Sequence, residues 1–265
     1  MQKKLLASVI IVNFNNEKYI LECLKSIFNQ RYKKIEIIIV DDHSTDESIK
    51  LLNRIKNKIK IIKTKKKIGS GSYNQMNAYL EGFKASKGDI IFLLDSDDYF
   101  KSEKIFKIMK QHNLSKSKKI IFDLPIKKFT QKKIKVNNKT FLNNNNYWPY
   151  IPPTSCISIK RNYFKKLFRL VNFKLYPNIW LDFRIGIVAK YILKDLIILD
   201  SHLTYYRQSN TNISSNFKHM SFNWWKRRKE AHLYIKYFFI KNNIKYARNS
   251  DYFITNIINF FIRCT

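Results

Sequence analysis

The first hundred residues alternate between short apolar runs and stretches of helical spacing. Residues 7–12, 35–40 and 89–94 are apolar at nearly every position, which is typical of strands buried on both faces of a parallel sheet. A less apolar strand is predicted at 58–62. Polar residues follow the three apolar runs directly, so the pattern places each polar group at the end of a strand.

Helical patterns occupy the intervals between these runs. Apolar residues at i, i+4, i+7 and i+8 from Ile20 predict one helix, and residues 73–84 predict another. Ser44 and Glu47 have the spacing of a capping box, which predicts that a helix begins there. Strands alternating with helices indicate a doubly wound α/β sheet, in which ligands bind beyond the carboxyl ends of the strands.

The second half is less regular, and we interpret the chain as one domain with a divided task. Residues 1–103 are predicted to bind a common ligand, residues 104–215 to tailor the site for that ligand, and residues 216–265 to form basic, aromatic C-terminal helices. Strands are expected at 156–159, 196–199 and 203–206, and helices at 179–193, 222–240 and 246–262.

Charge is unevenly distributed along the chain. The 265 residues carry 51 Lys and Arg against 19 Asp and Glu, for a net charge of +32, and residues 104–265 hold 32 of the basic residues and 6 of the acidic ones. Such a field attracts nucleic acid, anionic lipid or phosphorylated substrates. An AT-rich genome is the alternative source of the lysines. The three separated cysteines indicate neither a disulfide framework nor a zinc site, which fits a reducing cytosol.

Polar clusters follow three predicted strands, at Asn13–Asn16, Asp41–Ser44 and Asp95–Asp98. Crowded carboxylates repel one another unless a cation or hydrogen-bond donors compensate them. Mg²⁺ and Mn²⁺ bind one or two protein carboxylates together with substrate phosphates. The last cluster therefore predicts a divalent cation bridging a diphosphate, and its alternative is a set of helix-capping residues before Glu103.

Several motifs in fixed order carry a family resemblance. They are Ser8–Asn15, Tyr19–Ile27, Gln30, Ile35–Asp46 and Gly88–Asp98, with weaker matches at Pro153–Ser155, Trp180–Asp182 and Tyr205–Arg207. On these residues the chain resembles the family 2 glycosyltransferases, inverting enzymes of the GT-A fold. The resemblance implies a Rossmann-like doubly wound mixed sheet with a divergent acceptor-side half and C-terminal helices.

The resemblance also implies roles at the nucleotide end of the site. Phe14 matches an aromatic residue that stacks beside the base, and Asn15 closes the same motif. Asp42 matches an aspartate that accepts a hydrogen bond from the base, and Asp41 is its neighbour. All four are therefore expected among the residues that bind the nucleotide-sugar.

Further matches concern the phosphates. Asp97 and Asp98 match the acidic pair that reaches the ribose and the metal-bound diphosphate, Asp95 begins that motif, and Arg207 matches a position where the family commonly has Arg. Mn²⁺ or Mg²⁺ is the implied cofactor, with Asp97 and Asp98 as its ligands. Gly69 and Asn77 match a loop-and-helix element before the fourth strand.

The chain departs from the family in that element. The family often has Arg directly before the matching Asn, and here Met76 stands at that position. Any phosphate contact from that Arg must be absent or supplied by another cation.

For the general base we favour Asp182, which lies at the start of an apolar helix in a stretch nearly devoid of acids. A carboxylate near apolar groups has a raised pKa, which suits a general base. The alternatives are that Asp182 pairs with Arg184 or caps the helix. Asp123 is the second candidate for the base.

These expectations combine into a metal-dependent inverting transfer of one sugar from a nucleotide-diphospho-sugar, with UDP-sugars the first choice. The acceptor is expected to be a glycan or lipid-linked glycan of a bacterial capsule or lipooligosaccharide, handled in the cytoplasm or at the inner face of the plasma membrane. The chain has no Gln-x-x-Arg-Trp motif and no 20-residue apolar segment, which disfavours a processive synthase.

The alternative function is a module that binds nucleic acid or an anionic membrane. Nucleic acid is disfavoured because no zinc-finger, RRM or helix-turn-helix signature is present. A sugar-nucleotide pyrophosphorylase is disfavoured because Val12–Asn16 contains no glycine. The aromatic and basic run Phe222–Lys229 leads into a helix that either meets an anionic membrane or packs on the domain.

Overall fold

The computed structural model describes residues 5–65, 69, 71–115, 119–130, 132–136, 151–172, 174–208, 217–246 and 248–264. In these residues the strands are β1 (Ala7–Asn13), β2 (Ile35–Asp41), β3 (Lys60–Lys63), β4 (Ile90–Asp95), β5 (Tyr99–Phe100), β6 (Ile120–Lys128), β7 (Lys133–Lys135), β8 (Ile157–Lys160) and β9 (Leu196–Arg207). The helices are α1 (Ile20–Phe28), α2 (Ser48–Asn53), α3 (Gly71–Ala85), α4 (Lys104–Leu114), α5 (Arg161–Leu170), α6 (Leu181–Ile187), α7 (Phe222–Lys241) and α8 (Ser250–Cys264).

All of these strands join one mixed sheet in the order β3-β2-β1-β4-β8-β6-β9-β5, with β7 paired to β6. The pairs β3-β2, β2-β1 and β1-β4 are parallel, whereas β8 is antiparallel to both β4 and β6. The predicted α/β class with a doubly wound mixed sheet is confirmed. Strands from the second half extend the sheet of the first half.

Two hydrophobic layers cover the faces of the sheet. β1 feeds both, because alternate residues of a strand point to opposite faces: Ile10 packs in one layer and Val9 and Ile11 in the other. The first layer includes α3, α5, α6 and α7, and the second includes α1 and α4. Burial on both faces explains the continuous apolar runs of the sequence.

Some local predictions were wrong. The capping box at Ser44 does not form, since α2 begins at Ser48 and the Ser44 hydroxyl donates instead to Asp41, at 2.6 Å between oxygens. The strands expected at 196–199 and 203–206 are one strand, β9. The lysine-rich stretch gave no strand signal, yet β6 lies in it with both faces of its first half buried.

The three-part division of the chain stays a prediction, and its second boundary, at residues 215 and 216, lies outside the described residues. The C-terminal segment of the chain packs through α7, which buries Trp225, Tyr234, Phe238 and Phe239. Those aromatics therefore belong to the core. In the part of the chain that the structure describes, no helix has the length and apolar character needed to cross a bilayer.

Candidate functional site

The ends of β1, β2 and β4 meet at one edge of the sheet. β1 lies between the other two in parallel register, which sets Asn13 opposite Asp41 and Val12 opposite Asp95. The polar clusters that follow these strands are thereby brought together. This edge is where the strand order reverses, the usual ligand position in an open α/β sheet.

Asp41 is held by neutral donors. Its Oδ1 accepts from Asn13 Nδ2 at 3.0 Å and from Ser44 Oγ at 2.6 Å, and its Oδ2 accepts from the Ser44 amide at 3.1 Å. The residue is fully buried. Its carboxylate thus fixes the turn after β2, and the predicted contact of Asp41 with nucleotide stays a prediction.

Asp42 and Asn15 shape the same turn. The Asp42 amide donates to the Asn13 carbonyl at 2.8 Å, and its Oδ1 accepts from the Thr64 hydroxyl at 2.8 Å. Asn15 has a φ of 50°, and its Oδ1 accepts from the Thr45 amide at 2.7 Å. Phe14 precedes it and is 43% exposed. An exposed ring beside a rigid polar turn is suited to stacking on a planar ligand.

The loop before α3 is closed by a residue that the sequence did not single out. Asn74 Oδ1 accepts from the Gly69 amide at 3.2 Å, and Asn74 Nδ2 donates back to the Gly69 carbonyl at 3.3 Å. Asn77 lies nearly one turn further along the helix and is half-buried. The predicted binding roles of Gly69 and Asn77 stay predictions.

Asp95 ends β4 and is reached by two side chains of α3. Its Oδ1 accepts from Gln75 Nε2 at 2.7 Å and from the Tyr79 hydroxyl at 2.8 Å. Its backbone amide donates to the Ser155 hydroxyl oxygen at 3.0 Å. Gln75 and Tyr79 share a helix face because they are four residues apart.

Asp98 is also fixed on both oxygens. Oδ2 accepts from the Ser155 hydroxyl at 2.6 Å, and Oδ1 accepts from the Arg207 amide at 2.8 Å. The Arg207 guanidinium donates from Nε to the Asp97 carbonyl at 2.8 Å and forms an ion pair with Glu22. Arg207 therefore lies against the acidic loop, and its predicted contact with a diphosphate stays a prediction.

The crowding of these acids changes their protonation. Burial, followed by the charge of Asp95, raises the pKa of Asp97 to about 7. Burial, followed by Asp97 and Asp95, raises the pKa of Asp98 well above its usual range. Burial also raises the pKa of Asp95, although Tyr79 and Gln75 oppose it. A divalent cation would relieve this repulsion.

Asp182 lies in the first turn of α6. Its Oδ1 accepts from the Phe183 amide at 2.6 Å. Burial raises the pKa of Asp182 to about 7, while hydrogen bonds and Arg227 lower it and Asp95 raises it further. The alternative pairing with Arg184 was wrong, since the Arg184 guanidinium is fully buried and donates to backbone carbonyls, including that of Leu175 at 2.8 Å.

Asp123, the second candidate for the base, is engaged elsewhere. It forms an ion pair with Lys104 at 2.7 Å, in which both side chains are fully buried, and Oδ2 accepts from the Thr204 hydroxyl at 2.7 Å. Lys104 Nζ also donates to the Ser155 carbonyl at 2.7 Å. Through Lys104, this ion pair holds the backbone at Ser155 in place. We therefore assign Asp123 a structural role.

Two further side chains face the acids. Tyr206 has its pKa raised by burial and then by the charges of Asp98, Asp182, Asp97 and Asp95, so its phenol stays protonated and available as a donor. Arg227 of α7 lies over the Trp180 ring at 4.2 Å and the Phe217 ring at 4.1 Å. Its Nε has no hydrogen-bond partner among the described residues.

The sequence contains different amounts of information about Ser155, Tyr206 and Arg227. Ser155 and Tyr206 fall inside the weak matches at 153–155 and 205–207, but neither residue itself was assigned a role from the sequence. Arg227 sits in a run of four basic residues after two tryptophans. Nothing in that run of the sequence separates the buried Arg227 from its more exposed neighbours.

The donor set fits a divalent cation. Asp98 and Asp95 already accept side-chain hydrogen bonds, and Asp97, which like Asp95 is partly exposed, lies between them. Over the described residues there is no group of three or more His, Cys, Asp or Glu side chains that could hold a metal alone. A cation here would therefore take one or two carboxylates and complete its shell with phosphate oxygens, as Mg²⁺ and Mn²⁺ do.

Comparison with known proteins agrees with this geometry. Residues 8–168 match the family model for glycosyl transferase family 2. The chain is 30% identical over 218 residues to an uncharacterized glycosyltransferase of Nostoc sp., covering 77% of this chain and 65% of the relative. It is 41% identical over 100 residues to the UDP-Glc:alpha-D-GlcNAc-diphosphoundecaprenol beta-1,3-glucosyltransferase WfaP of Escherichia coli, covering 38% of each.

Solved structures share the fold at low identity. Residues 1–349 of S. aureus TarS in complex with UDP-GlcNAc superpose with a TM-score of 0.63 at 18% identity, covering 86% of this chain and 66% of that one. The mannosyltransferase PcManGT of Pyrobaculum calidifontis, in complex with GDP-Man and Mn²⁺, gives 0.62 at 14% identity, covering 95% and 68%. The chain thus spans about two thirds of the Nostoc relative and of these structures.

Proposed function

Since this chain belongs to glycosyl transferase family 2, we propose that it transfers one sugar from a nucleotide-diphospho-sugar to a glycan acceptor, with inversion at the anomeric carbon. The observation that carries the proposal is the acidic edge at the end of β4, where Asp95, Asp97 and Asp98 crowd together with raised pKa values. Asp182 lies close enough to be affected by the charge of Asp95.

The nucleotide occupies the edge formed by β1 and β2 in this proposal. Phe14 offers an exposed ring for the base, and Asp42 offers a fixed carboxylate oxygen beside it. UDP-sugars are the first donors to test, because TarS binds UDP-GlcNAc, and GDP-mannose follows from the second structural neighbour.

The diphosphate lies against the acidic loop with a divalent cation. Asp97 would hold this cation with Asp98 as the second ligand, and the cation, when bound, would neutralise charge on the departing phosphates as a Lewis acid. The Mn²⁺ in the PcManGT complex supports this assignment. Ser155 and the Arg207 amide keep Asp98 oriented for this task.

Arg227 supplies the phosphate-side cation that Met76 does not. Its guanidinium is held between two rings, it is 8% exposed, and its Nε is unpartnered among the described residues. Because burial lowers its pKa only to about 10, the side chain stays charged at neutral pH. A fixed charge of this kind stabilises developing negative charge without reorganisation.

Asp182 acts as the general base. The acceptor hydroxyl loses its proton to the Asp182 carboxylate while its oxygen attacks the anomeric carbon from the face opposite the diphosphate. The C–O bond to the diphosphate breaks in the same step, so a single displacement inverts the centre. A pKa of about 7 leaves much of the carboxylate ionised near neutral pH while keeping it basic enough to accept the proton.

The acceptor belongs to a bacterial surface polysaccharide in this proposal. WfaP is named for a diphosphoundecaprenol acceptor and TarS for poly(ribitol-phosphate), so relatives use both lipid-linked and polymeric acceptors. Capsule and lipooligosaccharide remain the contexts to test, and the cytoplasmic side of the membrane is the proposed location because nucleotide-sugars are the donors.

The test is a panel of nucleotide-sugars measured by thermal shift with and without Mn²⁺, since a ligand that binds the folded state raises Tm. One nucleotide class should raise the melting temperature of the wild type more with Mn²⁺ than without. If none of the panel stabilises the protein under either condition, the donor-binding proposal is rejected.

A further inference from the structure

The last helix of the described structure is turned so that its polar side faces the protein. Asp251, Thr255 and Asn259 share one face of α8 at four-residue spacing. Thr255 and Asn259 are buried, and Asn259 Nδ2 donates to the Trp225 carbonyl at 3.0 Å. Asp251 accepts from the Arg228 guanidinium at 2.6 Å. These contacts dock α8 on α7 through hydrogen bonds.

The apolar side of α8 consequently faces outward. Its residues Phe253, Ile254, Ile257, Phe260 and Phe261 are each between 50% and 64% exposed. They lie at i, i+1, i+4, i+7 and i+8, which is a single helical face. A contiguous row of large apolar side chains on a surface indicates a binding site for another apolar surface. We call these five residues the α8 face.

The charge around the α8 face identifies what covers it. Residues 217–264 contain ten basic and two acidic residues. Both acids are turned inward, since Glu230 accepts from the Asn178 side chain at 2.8 Å and Asp251 pairs with Arg228. Lys241 at the end of α7, and Lys245 and Arg248 on the connection leading into α8, are exposed.

We propose that the α8 face inserts into the interfacial region of an anionic lipid bilayer, with these three cations meeting the headgroups. An apolar helix face flanked by Lys and Arg, without opposing acids, is the arrangement of helices that lie in a membrane interface. Pairing of two copies through the same face would bring two chains of net charge +32 together, which disfavours self-association.

The geometry connects this surface to the site. α8 is hydrogen-bonded to Trp225 and Arg228 of α7, and Arg227 in the same turn is close enough to Asp182 for the charge of Asp182 to affect its pKa. A bilayer under α8 would therefore lie beside the helix that carries Arg227, and a lipid-linked acceptor would be held in that same bilayer. This consequence rests on the proposed function, whereas the membrane binding itself does not.

Vesicle flotation tests the inference without donor or acceptor. Wild-type protein is mixed with phosphatidylcholine vesicles that either contain or lack phosphatidylglycerol. It should float with the anionic vesicles, remain unbound with the neutral ones, and dissociate as salt screens the headgroups. The variant I257S/F260S/F261S should bind at least tenfold more weakly, and K241Q/K245Q/R248Q should lose the preference for phosphatidylglycerol.

The matched control is L114Q, which removes an equally exposed apolar residue at the end of α4 and should bind vesicles like the wild type. Unchanged far-UV circular dichroism and thermal midpoint show that the serine variant is folded. Three results would overturn the proposal: no binding of the wild type at low salt, unchanged binding of the serine variant, or a wild-type dimer that becomes monomeric in that variant. Because none of these readouts involves a nucleotide, they are independent of the donor-binding test.

Discussion

Two aspartates at neighbouring strand ends have opposite surroundings. Asp41 follows β2 and accepts three hydrogen bonds from neutral donors of Asn13 and Ser44. Asp97 follows β4 between two further carboxylates, and burial, followed by the charge of Asp95, raises its pKa to about 7. The same residue type at the same edge is therefore satisfied by the fold in one case and left to be satisfied by a ligand in the other.

The comparison teaches that donors, rather than acids, distinguish a structural strand end from a binding one. A buried carboxylate whose oxygens are filled by protein donors contributes to stability. A buried carboxylate among other carboxylates costs free energy that a bound cation relieves. The following experiments distinguish the end of β2 from the end of β4 by their effects on activity and stability. The first concerns Asp182, the proposed general base.

Replacing the proposed base should have the largest effect. Asp182→Asn keeps the shape but removes the proton acceptor, so we expect transfer to fall about 10²- to 10⁴-fold, the usual contribution of general base catalysis. Binding of nucleoside diphosphate should remain. The exposed acid Asp200 offers the matched control Asp200→Asn. Near-normal turnover of Asp182→Asn would reject the assignment.

Substitution of Asp97, at the end of β4, should change how the rate depends on the metal. Asp97→Asn removes the carboxylate that we assign to the cation, and we expect turnover to fall on the order of 10²-fold because the Lewis acid is lost or misplaced. The dependence of rate on Mn²⁺ concentration should weaken in parallel. If the variant keeps the wild-type dependence on Mn²⁺ concentration, Asp97 is not a ligand of the metal.

Substitution of Asp41, at the end of β2, should lower the stability of the fold instead. Asp41→Asn sets an amide NH₂ against the donors of Asn13 and Ser44, and we expect the free energy of unfolding to drop by about 1–3 kcal/mol. Urea unfolding followed by circular dichroism measures it. Should this variant be as stable as the wild type and lose nucleotide binding, the contrast between the two ends would disappear.

The pH profile sharpens the assignment of the base. Burial raises the pKa of Asp182 to about 7, and only its ionised form accepts a proton. At saturating Mn²⁺, kcat/KM should therefore fall about tenfold for each pH unit below 7 and level off above it. A flat profile from pH 5 to 8 would mean that no group of this pKa governs the step.

Much of the fold could be predicted from the sequence, because burial of a strand or helix face leaves a local pattern of apolar residues. The apolar runs of β1, β2 and β4 and the helical spacing of α1 each determine one element. β6 escaped detection since Lys127 and Lys128 end it and lysines surround it. Its buried first half pairs with β8 and β9, strands distant in sequence, and such pairing leaves no local signal.

Only the part of the site that directly follows a strand could be predicted from the sequence. Asp95–Asp98 follow a recognisable strand, so their position was predictable. Gln75, Ser155 and Arg227 reach the acids from three separate elements, and only the folded arrangement shows which of many similar side chains does so. The lysine that neutralises Asp123 is fully buried in α4, against the ordinary expectation for Lys.

Calorimetric titration of UDP into the wild type and Asp97→Asn, each with and without Mn²⁺, tests the central claim most directly. The account predicts that Mn²⁺ tightens UDP binding at least tenfold in the wild type and has no effect in Asp97→Asn, while the control Asp200→Asn behaves like the wild type. Equal tightening by Mn²⁺ in both the wild type and Asp97→Asn would contradict it.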